Sequence, residues 1–260
     1  MGLARATDRI AVAATLTSRY LAVVIMSQVS SRVAPYFRTT NPQDVRIIQP
    51  YEVPGKVSQW VRGSIRHNGT DLVVTGPKLR VCFSGCRWNK LVLGVPALVD
   101  DLESTNHDVV EAIAFKNWLH ELAGQVQATV WAQPEKFKPG AKSSTRFIFD
   151  TDYVKPSSDP SLYPDEVRCR LSTYRQTGGE NENYDVVDAD LFKVVDGIVF
   201  KVDAPEIFSG SYVIPVLKIN YFRNIERFGL MITVLKAHVF PQEYNRIGND
   251  EWVVDYSSNA

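Results

Sequence analysis

Residue types able to do covalent chemistry are scattered along this chain of 260 residues. The four histidines, His67, His107, His120 and His238, form neither H-x-x-x-H nor H-E-x-x-H. No G-x-S-x-G elbow, Walker loop or G-x-G-x-x-G fingerprint occurs. Cys82 and Cys86 make a C-x3-C pair with no second pair at zinc spacing, and Cys169 stands apart. Two small apolar residues on or beside a strand explain that pair, so no metal site is assigned. Carboxylates gather only after Gly178-Gly179, as Glu180, Glu182, Asp185, Asp188 and Asp190, where the pattern predicts an exposed acidic loop. No catalytic residue and no cofactor follow from these patterns. An active site assembled only in three dimensions keeps an enzyme of unknown type as an alternative.

Basic and aromatic residues do cluster. In WAQPEKFKPGAKSSTRFIF, 131–149, Lys136, Lys138, Lys142 and Arg146 interleave with Trp131, Phe137 and Phe147, and Glu135 is the only acid. Trp88 lies beside Arg87 and Lys90. In 208–240, FSGSYVIPVLKINYFRNIERFGLMITVLKAHVF, two alternating stretches flank a basic and aromatic turn. Lys218, Arg223, Arg227 and Lys236 could line one rim there, with Tyr221 or Phe222 as a platform. The chemistry such residues perform is the holding of a single nucleic-acid strand: cations on phosphates, rings under bases at about 1–3 kcal/mol per base. The plain alternative is a core hairpin with solvent-facing lysines, and the pattern alone leaves the two balanced.

The elements that would position these residues are mostly strands. Hydrophobic residues make up 45% and charged residues 22%, enough apolar content for a sizeable core. Lysine plus arginine equals aspartate plus glutamate at 29 each, so attraction to a polyanion must come from local clustering. Short Val-rich and aromatic runs are predicted as strands at 57–62, 71–75, 79–83, 91–98, 191–195, 197–203, 212–222 and 229–240, with Asn68-Gly69 as a hairpin turn. Phe115, Trp118, Leu119, Leu122 and Val126 recur with helical period. That predicts one main helix over about 106–124, opened by a Thr105–Asp108 capping box and closed near Gly124. Trp118 reads as a core anchor. The class is mainly β, a β-rich α+β chain of about eight to ten strands folded as a barrel or sandwich.

The alternating stretches of 208–240 also carry a family resemblance. G-S-Y-x-I-P-V-L-K-I-N-Y-F, a short turn, and F-G-L-x-I-x-V-L-K-A-H-V-F resemble the closing strands of small viral single-stranded DNA-binding proteins. These comprise the podophage replication type and related proteins of large double-stranded DNA viruses. Gly210-Ser211, Tyr221-Phe222 and Gly229 carry the match. TDLVVTGPKLRVCFSGCRWN, 70–89, is similar to a strand–Pro–strand element through Pro77, Phe83 and Gly85, and 134–149 is similar to a basic segment preceding a strand. The resemblance covers most of 70–240. It implies an OB-like five-stranded barrel with extra strands and one helix, binding single-stranded DNA without catalysis or sequence specificity. Lys136, Phe137, Lys138, Lys142 and Arg146 would form one side of the groove. Lys218, Tyr221, Phe222, Arg223 and Lys236 would form the other, with Trp88 and Lys90 nearby. RNA as a further ligand and replication proteins as partners stay open. The acidic tail of the podophage members has no counterpart in GNDEWVVDYSSNA.

The expected organisation is an N-terminal extension at 1–25, an irregular lead-in at 26–50, one OB-like domain at 51–243 and a tail at 244–260. The extension carries Arg5, Arg9 and Arg19 and reads either as translated upstream sequence before Met26 or as a mitochondrial targeting segment. No apolar run reaches the roughly 18 residues of a membrane span. The implied location is intracellular, in a host nucleus or viral replication site. The rival reading from another class is a viral structural protein, such as a minor capsid component with a β-sandwich. The two differ in charge placement, because only a strand-binding protein must collect its basic and aromatic residues on one surface.

Overall fold

The computed structural model describes residues 34–50, 61–82, 89–96, 106–138, 140–177, 183–224, 227–240, 244–247 and 251–254. Trp88, Cys86, the extension at 1–25 and the Thr105 half of the expected capping box lie outside the described residues. The chain divides into two units at Pro35, and the second unit holds every element below.

In chain order the elements begin with β1 (Arg46–Ile47), β2 (Val61–His67), β3 (Thr70–Asp71), β4 (Val73–Thr75), β5 (Leu79–Val81) and β6 (Lys90–Val95). Helices α1 (His107–Ala132) and α2 (Pro134–Phe137) follow, then β7 (Ile148–Asp150), β8 (Val154–Lys155) and β9 (Asp165–Leu171). The rest are β10 (Thr173–Thr177), β11 (Asn183–Val187), β12 (Asp190–Val195), β13 (Ile198–Lys201), β14 (Tyr212–Arg223), β15 (Arg227–Phe240), β16 (Tyr244–Ile247) and β17 (Glu251–Val254).

Five strands close a barrel. β14 pairs β5, β5 pairs β6, β6 pairs β9, β9 pairs β15, and β15 returns to β14. All five junctions are antiparallel except β9–β15. The class is therefore mainly β, with an OB-like closed five-stranded barrel, further strands outside it and one main helix. Alternation builds the interior: Val213, Leu217, Ile219 and Tyr221 of β14 face Leu79, Val81, Leu91, Leu93, Val167, Cys169, Ile232 and Val234, all buried. Each valine, leucine or isoleucine among them contributes about 1.5–3 kcal/mol when fully buried.

Several expectations change. The helix runs on to Ala132 rather than ending near Gly124. A mid-helix glycine costs about 1 kcal/mol, and burial of Val126 and Val130 beyond it outweighs that cost. At the N-terminus the Asn106 side chain accepts from the Asp108 N–H at 3.0 Å. Trp118 is buried, and its indole donates to the Thr40 carbonyl at 2.6 Å. That bond ties the segment before β1 to the helix, where Phe37 packs on Phe115 and Trp118. The acidic segment is not all loop, because β10 and β11 pair as an antiparallel arm with Thr177 opposite Asn183. β9, a barrel strand, falls in a stretch where no strand was predicted. Lastly, the faces of β15 switch partway along. Val216 pairs Lys236 and Leu217 pairs Val234, so Leu235 is an extra residue in a β-bulge. Leu230, Ile232 and Val234 point inward before it, and Ala237 and Val239 after it.

Candidate nucleic-acid interface

The outward positions of the barrel strands form rows, because residues paired across neighbouring strands place their side chains on the same face. Lys218 pairs Thr233, Thr233 pairs Arg170, and Arg170 pairs Lys90. This row crosses β14, β15, β9 and β6. A second row runs Arg62, Phe222, Gly229 and Asp150 over β2, β14, β15 and β7. Between the rows Asn220 pairs Met231, and Arg168 pairs Val92.

A concavity of about 450 Å³ opens on this face. Arg62, Lys90, Arg168 and Arg170 bring four cations to its lining, and Phe222 and Met231 bring apolar surface. Asp150 and Asp152 are the acids there. Arg62, Lys90, Arg168 and Arg170 are exposed, while Phe222 and Met231 are half-buried. Gly229 makes room for the aromatic ring: a Cβ at that position would sit 2.8 Å from Phe222 Cε1 and 2.9 Å from Asp150 Cβ. The Phe222 ring thus lies across the backbone of β15. Arg168 also meets Glu166 at 3.3 Å, an exposed pair that contributes little by itself. The buried Cys169 forms part of the floor, and burial pushes its thiol up to about 12, so it stays protonated.

Of the residues predicted for a groove, Lys90 and Phe222 line this concavity. Lys218 belongs to the same outer row but is held by Asp71, with 2.6 Å between Nζ and the carboxylate. Lys236 lies beyond the bulge, 3.4 Å from Asp190. Tyr221 and Arg223 are buried, at 0% and 5% exposure, because they alternate with Phe222 and turn away from it. Neither offers a stacking face or a phosphate contact here. Burial also holds the Arg223 guanidinium below its ordinary value.

The basic segment 136–146 takes a different place. Phe137 is buried and packs edge-on to Tyr221 and Phe228, with centroids at 6.1 and 6.4 Å. It therefore joins the core rather than a binding surface. Lys136, Lys142 and Arg146 are exposed. Arg146 donates to the Ser143 and Thr145 carbonyls at 3.2 and 3.1 Å, and Lys138 sits 5.8 Å from the Phe147 ring centre. None of the described residues of 136–146 is in the lining of the concavity. The sequence reading missed Arg62, Arg168 and Arg170. The signal available for two of them was the alternation DEVRCRL, in which Val167, Cys169 and Leu171 turn inward and Arg168 and Arg170 outward.

No family model matches the chain, and no curated protein matches it. Among solved structures it is similar to the single-stranded DNA-binding protein from bacteriophage Enc34, with 12% identity, 79% of this chain and 96% of that chain covered, and a TM-score of 0.38. It is also similar to a single-stranded DNA-binding protein encoded by bacteriophage T7, with 10% identity, coverage of 69% and 97%, and a TM-score of 0.42.

Proposed function

We propose that the outer face of the barrel holds a single strand of DNA. Phe222, with Met231 beside it, gives a base an apolar surface to stack on, and Arg62, Lys90, Arg168 and Arg170 neutralise phosphates around it. Asp150 and Asp152 repel phosphate at their end of the concavity, which favours a backbone path along the Arg170–Lys90 side. Stacking and phosphate contacts carry little sequence information, so binding is non-specific. No bond is made or broken. The biological role we assign is the coating of exposed strands during viral DNA replication, recombination or repair, as the sequence resemblance implies.

The observation that carries this reading is the half-buried ring of Phe222 in a concavity lined by four cations on a chain of zero net charge. A structural shell protein has no need to assemble such a surface from four separate strands. The test is fluorescence anisotropy of the full chain with a labelled thymidine oligomer across a salt series, competed by duplex DNA. Binding should weaken with salt at a slope of about −0.7 in log–log form per phosphate neutralised. Duplex should compete poorly. An oligomer left unbound at low salt would end the proposal and favour the structural-protein reading.

A further inference from the structure

The two edges of the main sheet are built differently. Its strand order ends at β1 on one side and β13 on the other. β1 is two residues long and starts with Arg46. Short length and charge are usual devices that keep an edge from pairing with another chain. β13 reads Ile198-Val199-Phe200-Lys201 and carries no proline, bulge or charge before its last residue. All four residues are exposed, with Ile198 at 59% and Val199 and Phe200 at 44%, and Val195 across the hairpin is exposed as well.

The hairpin geometry fixes which backbone groups reach outward. Asp196 and Gly197 have φ of 50° and 78°, the two positive values of a tight two-residue turn. Val195 pairs Ile198 and Lys193 pairs Phe200, and the Val202 N–H donates to the Leu191 carbonyl at 2.9 Å. Hydrogen-bonded pairs alternate along an antiparallel ladder. Pairs 191/202, 193/200 and 195/198 therefore bond within the hairpin, while Val199 and Lys201 aim N–H and C=O at the free edge. Among the described residues β13 pairs with β12 alone.

We propose that β13 is a homodimerisation edge, pairing antiparallel with β13 of a second copy about a two-fold axis at Val199. In this register Val199 exchanges both backbone hydrogen bonds with the partner subunit's Val199. Ile198 lies opposite the partner's Phe200, and the reverse contact follows by symmetry. Lys201 lies opposite the partner's Gly197, next to the partner's Asp196, so each end of the ladder sets a positive charge by a negative one. This self-complementarity of charge and shape selects a second copy as the occupant. Zero net charge removes global repulsion between copies.

The test is sedimentation velocity of the full chain without DNA over a range of protein concentrations, which keeps it independent of the strand-binding proposal. Wild type should pass from monomer to dimer as concentration rises. Val199→Pro should abolish the dimer without costing a bond to β12, because that N–H faces outward. Ile198→Lys with Phe200→Lys places like charges opposite each other and should also abolish it, with an unchanged melting temperature as the control for folding. Val199→Cys should cross-link two copies on oxidation, since facing Cα atoms in a ladder are about 5.5 Å apart. A wild type that stays monomeric at every concentration overturns the proposal, and so does a dimer that survives both charge and proline variants.

Discussion

Tyr221 and Phe222 are chain neighbours with similar rings, and the barrel sends them to opposite sides. Tyr221 is fully buried, 4.9 Å from the Phe228 ring centre, and its hydroxyl donates to the Ile48 carbonyl at 2.5 Å. Burial pushes that hydroxyl's pKa up, so it remains a donor. Phe222 is half-buried in the cationic concavity. Each ring lies across a glycine of an adjacent strand: Tyr221 over Gly63 of β2 and Phe222 over Gly229 of β15. Neither glycine could take a Cβ without moving the ring or its surroundings. The difference teaches that one step of a period-two strand separates an anchor from a platform, and that the partner strand prepares a place for each. A one-residue slip of β14 would bury the candidate platform and expose the anchor.

Tyr221→Ala tests the inner half of this comparison and should have the largest effect. Truncating a buried aromatic of this size costs about 3–5 kcal/mol, read from urea or guanidinium unfolding. Phe222→Ala should instead leave the unfolding midpoint nearly unchanged and weaken oligonucleotide binding by about 1–3 kcal/mol. The comparison breaks if Phe222→Ala destabilises the fold as much as Tyr221→Ala does, for the outer ring would then be core. It also breaks if binding survives Phe222→Ala at full strength.

The two faces of β14 were legible because Val213 to Tyr221 alternate apolar residues without interruption, while Lys218, Asn220 and Phe222 mark the other side. Which of Tyr221 and Phe222 would be exposed was not legible, since both are aromatic and the strand ends there. The bulge at Leu235 left no mark either. It arises where β15 leaves β9 and runs on to β12, a tertiary event. The candidate surface was the least legible part. Arg62, Lys90, Arg168 and Arg170 come from three strands, and each is an ordinary solvent-facing cation until the barrel closes. The basic run at 136–146 stood out because its charges are neighbours in sequence, yet its aromatic residue, Phe137, plugs the core.

That contrast sets the remaining experiments, a comparison of two basic surfaces by their salt slopes. Arg168→Ala with Arg170→Ala removes two lining cations from exposed positions on β9 and should leave the fold intact. If each neutralises one phosphate, the slope of log affinity against log salt falls by about 1.4. Lys136→Ala with Lys138→Ala removes two cations from α2 and its C-terminal end and should give the smallest effect, a slope change below the roughly 0.7 of a single phosphate. Lys136 is exposed, but Phe137, the ring between the two lysines in sequence, is buried, so it gives a strand passing there no face to stack on. A contact made by these two lysines alone would thus be electrostatic and would fade as salt screens it. If the lysine pair lowers the slope as far as the arginine pair, the strand continues from the barrel onto α2, and the site is longer than the concavity. If only the lysine pair lowers it, the strand leaves the outer face altogether, and Phe222 loses its role as a platform.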